Sequence, residues 1–114
     1  MERIHLNDDF RHPIREFDSS AFLTRICRTT SETRVGFIHL ETNGVIGSHQ
    51  AVVPQLLLVV SGSGIVESAG QKLQVQVGDS FFWECGEWHQ TRSPLGMSAI
   101  VIESKSLNLS LLRK

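Results

Sequence analysis

Polar and apolar residues alternate with a period of two along much of this chain. Over Gln71 to Val77, Leu73, Val75 and Val77 fall on one face, and Lys72, Gln74 and Gln76 on the other. Phe22, Thr24 and Ile26 likewise oppose Leu23, Arg25 and Cys27. A pleated strand imposes this period, because successive side chains leave opposite faces. Turn-forming residues interrupt the alternation at Asn43-Gly44, Ser61-Gly62-Ser63-Gly64, Ala69-Gly70, Gly78-Asp79, Cys85-Gly86 and Pro94-Leu95-Gly96. The runs between them are too short for most helices and right for strands. The pattern predicts strands near residues 21–28, 34–41, 45–48, 55–60, 63–67, 71–77, 80–84 and 88–92, with a ninth over 97–103. Leu107 to Leu112 is the best helix candidate, and it is short.

Three runs break the alternation by being apolar throughout: Leu56 to Val60, Phe81 to Trp83, and Ala99 to Ile102. A strand apolar on both faces must be covered on both, by the barrel interior on one side and by another sheet or subunit on the other. Many short strands at even spacing assemble as a sandwich or barrel, and the two-sheet jelly roll is one standard solution. The fold class predicted is all-β, an antiparallel jelly-roll β-barrel in one domain over residues 1–114. Its core is expected over residues 34–103, with an N-terminal arm over 1–20. The stretch Ile4 to Phe22 has no obvious place inside so small a barrel. Such an arm can add to a partner's sheet edge, and with the doubly apolar strands this predicts a homodimer.

Composition narrows the function classes. The 114 residues are 40% hydrophobic and 20% charged, an ordinary globular balance with enough chain for one core. Eleven Lys and Arg against twelve Asp and Glu give a net charge of −1 and no basic block, which argues against nucleic acid as a partner. The opening MERIHLNDDF has no apolar signal segment, and Leu56 to Val60 is too short to span a bilayer, so no membrane partner is expected. Cys27 and Cys85 imply no disulfide framework and read as reduced thiols in a cytoplasmic protein. Phosphate loops, dinucleotide fingerprints, nucleophile elbows and Cys-x-x-Cys pairs are all missing from the sequence.

Two spaced patterns remain. In the first, Gly44 precedes His49, then Ala51, Gln55 and, six residues on, Gly62. In the second, Gly78 precedes Glu84, Gly86, His89 and Ser93. On these residues the chain from Gly44 onward resembles the cupin superfamily, whose fold is the jelly-roll barrel (a double-stranded β-helix). The resemblance spans roughly residues 34 to 103. Family members that hold a metal use two histidines and a glutamate of the first motif with one histidine of the second. By position His49 and His89 match, while Ala51 and Gln55 stand where the second histidine and the glutamate belong. Glu84 replaces the second motif's proline, and Ser93 its asparagine.

The resemblance implies a cavity at His49, Gln55 and His89, and Trp83 and Trp88, the large aromatics that bracket the Cys85-Gly86 turn, are read as its wall. Three roles follow for it. A binding module would hold a small polar or aromatic molecule among these residues without a metal. An enzyme resembling cupin dioxygenases or isomerases would hold one divalent transition metal (Zn, Fe, Ni or Mn) on His49, Gln55 and His89. A regulatory or sensor protein would act through another protein without catalysis. Alanine offers no ligand and glutamine only a neutral oxygen, so the metal set is short of both a donor and a charge. Glu84 and Glu87 flank a turn near this cavity, as a general base or as solvated turn carboxylates. His5, His12 and His39 lie outside the motifs and read as structural or exposed.

Overall fold

The computed structural model describes residues 1–6 and 8–112. It holds ten strands and, among the described residues, no α-helix, only three short 3-10 turns. The strands are β1 (Glu2–His5), β2 (Arg11–Ile14), β3 (Ala21–Thr24), β4 (Arg34–Leu40), β5 (Gly44–Gln50), β6 (Gln55–Ser68), β7 (Gln71–Gln76), β8 (Asp79–Trp83), β9 (Trp88–Ser93) and β10 (Met97–Glu103). All pairings among them are antiparallel, as expected for a jelly roll.

One strand organises the barrel. The first half of β6 lies between β8 and β10 in a layer ordered β1-β8-β6-β10-β4. Its second half pairs with β7 and β9, and β9 continues to β5, which makes the opposing layer. The corner falls at Gly62, whose φ of 74° lies in the left-handed region, beside a register shift between Ser98 and Ala99. The Ser61–Gly64 stretch is thus a bend inside one 14-residue strand, where the sequence pattern predicts a turn between two.

The inward side of β6 carries Leu57, Val59 and Val66, packed with Val75, Phe81, Trp83, Met97 and Ala99 in the inner core. Its outward residues Leu56 and Leu58 join a second apolar cluster with Ile4, Leu109 and Leu112. The double apolarity of β6 is therefore answered by the chain's own ends. Leu109 and Leu112 come from the C-terminal segment, where a 3-10 turn (Ser110–Leu112) stands in place of the predicted helix. Ile4 comes from β1, which pairs with β8 of the same chain, Ile4 opposite Ser80, and the Ser80 hydroxyl donates to the Ile4 carbonyl at 2.8 Å.

These contacts correct the reading of the N-terminal arm. Residues 2–5 are a barrel strand, and residues 11–14 pair with 21–24 as a separate two-stranded ribbon. The predicted strand over 21–28 ends at Thr24. Leu56 and Leu58 on the outer face of β6 are covered within the chain, β1 pairs with β8, and the ribbon of β2 and β3 pairs with itself. What stays open is the edge strand β4, where Val35 is 68% exposed and Phe37 54%.

Candidate functional site

Two rows of side chains face each other across the barrel. On one layer Gln55 sits between Trp83 of β8 and Glu103 of β10, each in direct register with it. On the other, His49 of β5 stands opposite His89 of β9, their ring centroids 4.3 Å apart. Trp83 joins the layers by stacking on His89, centroids 4.4 Å apart and planes 19° from parallel. His49, Gln55, Trp83, His89, Thr91 and Glu103 give the polar lining of a cavity of about 100 Å³. Ile38, Ile46, Leu57 and Val101 complete it. Water takes about 30 Å³ per molecule in the liquid, so the space is that of about three water molecules.

Backbone carbonyls orient both imidazoles. Nδ1 of His49 lies 2.8 Å from the Gly47 oxygen, and Nδ1 of His89 lies 3.4 Å from the Glu87 oxygen. A carbonyl can only accept, which places the hydrogen on Nδ1 and leaves Nε2 as acceptor in each neutral ring. His49 is exposed and His89 buried, so the cavity opens on the His49 side. Burial holds the His89 imidazole below its ordinary range, and the neighbouring His49 adds to this, outweighing the Glu87 carbonyl and carboxylate that favour the charged ring. Trp83 is 1% exposed, and its Nε1–H has no acceptor among the described residues. A buried donor left unpaired costs roughly 1–3 kcal/mol.

Four of the five residues assigned to the cavity from the sequence meet there; Trp88 does not. It sits next to His89 on one strand, so its side chain leaves the opposite face, where it is 57% exposed. Glu84 and Glu87 do not line the cavity either. Glu87 accepts the Glu84 backbone N–H at 2.9 Å and pairs with the amino group of Met1, which clamps the β8–β9 turn. Burial raises the Glu87 carboxyl, but the amino group, the Glu84 N–H and His89 together bring it below its usual range. Glu103 was missed by sequence reasoning. The period of two could have found it, because Ala99 and Val101 face inward and residue 103 shares their parity.

The four-ligand metal set implied by the family motif does not assemble. Ala51 is buried in the inner core, its N–H bonded to the Glu87 carbonyl and its own carbonyl to the Gly86 N–H. No group of three or more His, Cys, Asp or Glu among the described residues is placed to hold an ion. The two imidazoles and the neutral Gln55 amide supply no charge, and Glu103, the carboxylate that lines the same cavity, does not come together with the two histidines as a three-donor cluster, so the donor set does not fit a resident divalent metal.

This arrangement gives a pH dependence with a definite sign. An unfolded chain titrates His89 near the ordinary value of about 6.5, and the folded chain titrates it lower. Between the two values the unfolded state binds more protons, so stability rises with pH. It is fully present above the unfolded value and lost as pH falls towards the folded one. Urea midpoints measured from about pH 8 down to about pH 5 should therefore decline below about pH 6.5, with a shallower decline in His89→Gln.

With fold and cavity in place, the chain can be assigned: it belongs to the cupin family, whose domain matches residues 36–103. No curated protein matches it. Among solved structures it is similar to a cupin superfamily protein from Desulfitobacterium hafniense DCB-2, at 10% identity and a TM-score of 0.61 over 68% of this chain and 74% of that one. An RmlC-like cupin from Shewanella frigidimarina NCIMB 400 is similar at 21% identity and a TM-score of 0.61, over 75% of this chain and 71% of the other. A predicted oxalate decarboxylase from Thermotoga maritima is similar at 17% identity and a TM-score of 0.57, over 66% and 64% respectively. At these identities the likeness is one of fold. Among the described residues no helix is long and apolar enough to cross a membrane.

Proposed function

We propose that this cupin barrel is a binding module that takes the polar head of a small molecule into the cavity between His49, His89 and Trp83, without a resident metal. The observation that carries this reading is the unpaired Nε1–H of Trp83, a buried donor beside a cavity whose two imidazoles offer acceptor nitrogens. A primary amide or a hydroxyl group matches that array: its oxygen accepts from Trp83, while its N–H or O–H donates to an imidazole. The apolar walls suit a short carbon chain.

Propionamide serves as the probe, followed by tryptophan fluorescence in a Trp88→Phe background so that Trp83 alone reports. The expected result is a saturable change that His89→Ala weakens about tenfold. Elemental analysis beside the His49→Ala/His89→Ala double variant tests the other half. Near-stoichiometric metal in the wild type, lost in the double variant, would overturn the metal-free reading in favour of a cupin enzyme of the dioxygenase or isomerase type.

A further inference from the structure

We propose that the groove between β1 and β7 is a second ligand site, in which Arg3 and His5 together take an oxyanion that carries or adjoins a hydroxyl group. This groove has a volume of about 530 Å³, several times that of the cavity between the histidines, and shares no lining residue with it. Among the described residues that line it, Arg3, His5 and Asp79 are the charged or titratable ones.

The three are arranged as a unit. Arg3 and His5 are two residues apart on one strand and so project from the same face, about 7 Å apart along the chain. Asp79, opposite His5 in the β1–β8 register, is 6% exposed. Its Oδ1 lies 2.5 Å from Nδ1 of His5, and its Oδ2 accepts the Gln76 backbone N–H at 3.1 Å. Both carboxylate oxygens are thereby engaged. The same bond places the imidazole hydrogen on Nδ1 and fixes the ring, which leaves Nε2 as an acceptor without a partner among the described residues. The His5 side chain is 58% exposed. A carboxylate behind an imidazole whose far nitrogen is open to a cleft is a pre-oriented hydrogen-bond acceptor, not a core histidine satisfied on both sides.

Arg3 supplies the opposite polarity. One of its terminal nitrogens donates to the Gln74 carbonyl at 3.2 Å and steadies the guanidinium against β7. Five N–H donors leave enough for an anion. With the imidazole neutral, the pair presents a cationic donor and an acceptor side by side. Hydrogen phosphate, a phosphate monoester protonated once, or an α-hydroxy acid meets both. A sulfate meets only the first, because it has no hydrogen to give Nε2.

The test is a titration of the isotope-labelled full chain with inorganic phosphate, followed by amide NMR at about pH 8, above the ordinary imidazole range, with ionic strength matched by sodium chloride. Saturable shifts are expected in β1, Gln74 to Gln76 and Ser63 to Ile65. Sulfate should bind roughly threefold more weakly than phosphate, and acetate more weakly than lactate by a similar factor. Arg3→Gln, at an exposed position where folding is not at stake, should weaken phosphate about tenfold. His5→Phe should abolish the preference for phosphate over sulfate. Comparing phosphate with glycerol phosphate and lactate tells which source of the oxyanion the groove prefers. The proposal is overturned by a phosphate response that does not saturate, by sulfate matching phosphate, or by shifts that Arg3→Gln leaves unchanged.

Discussion

Gly62→Ala should cost this barrel at least about 3 kcal/mol, enough to bring a small domain to the edge of folding. A β-carbon at this position would lie 2.2 Å from the Gly96 carbonyl oxygen and 2.9 Å from the Met97 Cα. Both are backbone atoms of the neighbouring segment, so no rotamer change relieves the overlap. The only remedy is to pull β6 and β10 apart where β6 passes from one layer to the other. The left-handed backbone, φ 74°, adds a further penalty of about 1 kcal/mol for any side chain. Gly70 makes the comparison clean. It has a similar φ of 78°, yet a β-carbon there meets nothing within 4 Å. Gly70→Ala should therefore show the conformational penalty alone, about 1 kcal/mol. Urea midpoints of the two variants separate the steric cost from the backbone cost. Equal losses would mean that the corner can open without harm.

The same corner explains what the sequence pattern could and could not tell. Ser61-Gly62-Ser63-Gly64 has the composition of a hairpin turn, and local chemistry alone reads it so. The chain does not reverse there. It bends, and the partners that keep it extended, Met97 on one side and Gln76 on the other, lie elsewhere in sequence. By contrast β7 was legible, because its period-two alternation is local. β1 was not. It is four residues long, and its evidence of being a strand is a partner more than seventy residues away. Its Ile4, together with Leu109 and Leu112, also packs on Leu56 and Leu58 of the outer face. For the site, motif spacing found both histidines. Parity along the strands would have improved the rest, since it turns Trp88 outward once His89 points in and turns Glu103 inward with Val101. The bonds that set the imidazole tautomers are contacts from within two residues of each ring, and no motif encodes them.

Trp83 lies where fold and cavity meet, and two substitutions pull the roles apart. Trp83→Ala should lose about 3–5 kcal/mol. It deletes a side chain that is 1% exposed and packed between Phe81, centroids 6.2 Å apart, and His89, 4.4 Å apart. The space left behind would border the existing cavity of about 100 Å³ and admit water beside Leu57 and Val101. The His89 ring would lose the face that buries it, so its titration should move back towards the ordinary range and the acid-side loss of stability should flatten. Trp83→Phe keeps an aromatic face and removes only the indole donor. Its stability cost should be about 1–2 kcal/mol for the lost volume, offset in part because an unpaired buried N–H disappears with it. If that N–H serves a ligand, Trp83→Phe should bind propionamide about tenfold more weakly by calorimetry while remaining folded. Unchanged binding in a stable Trp83→Phe protein would make the indole a packing element, and would place whatever recognition the cavity has on His49, Gln55 and His89.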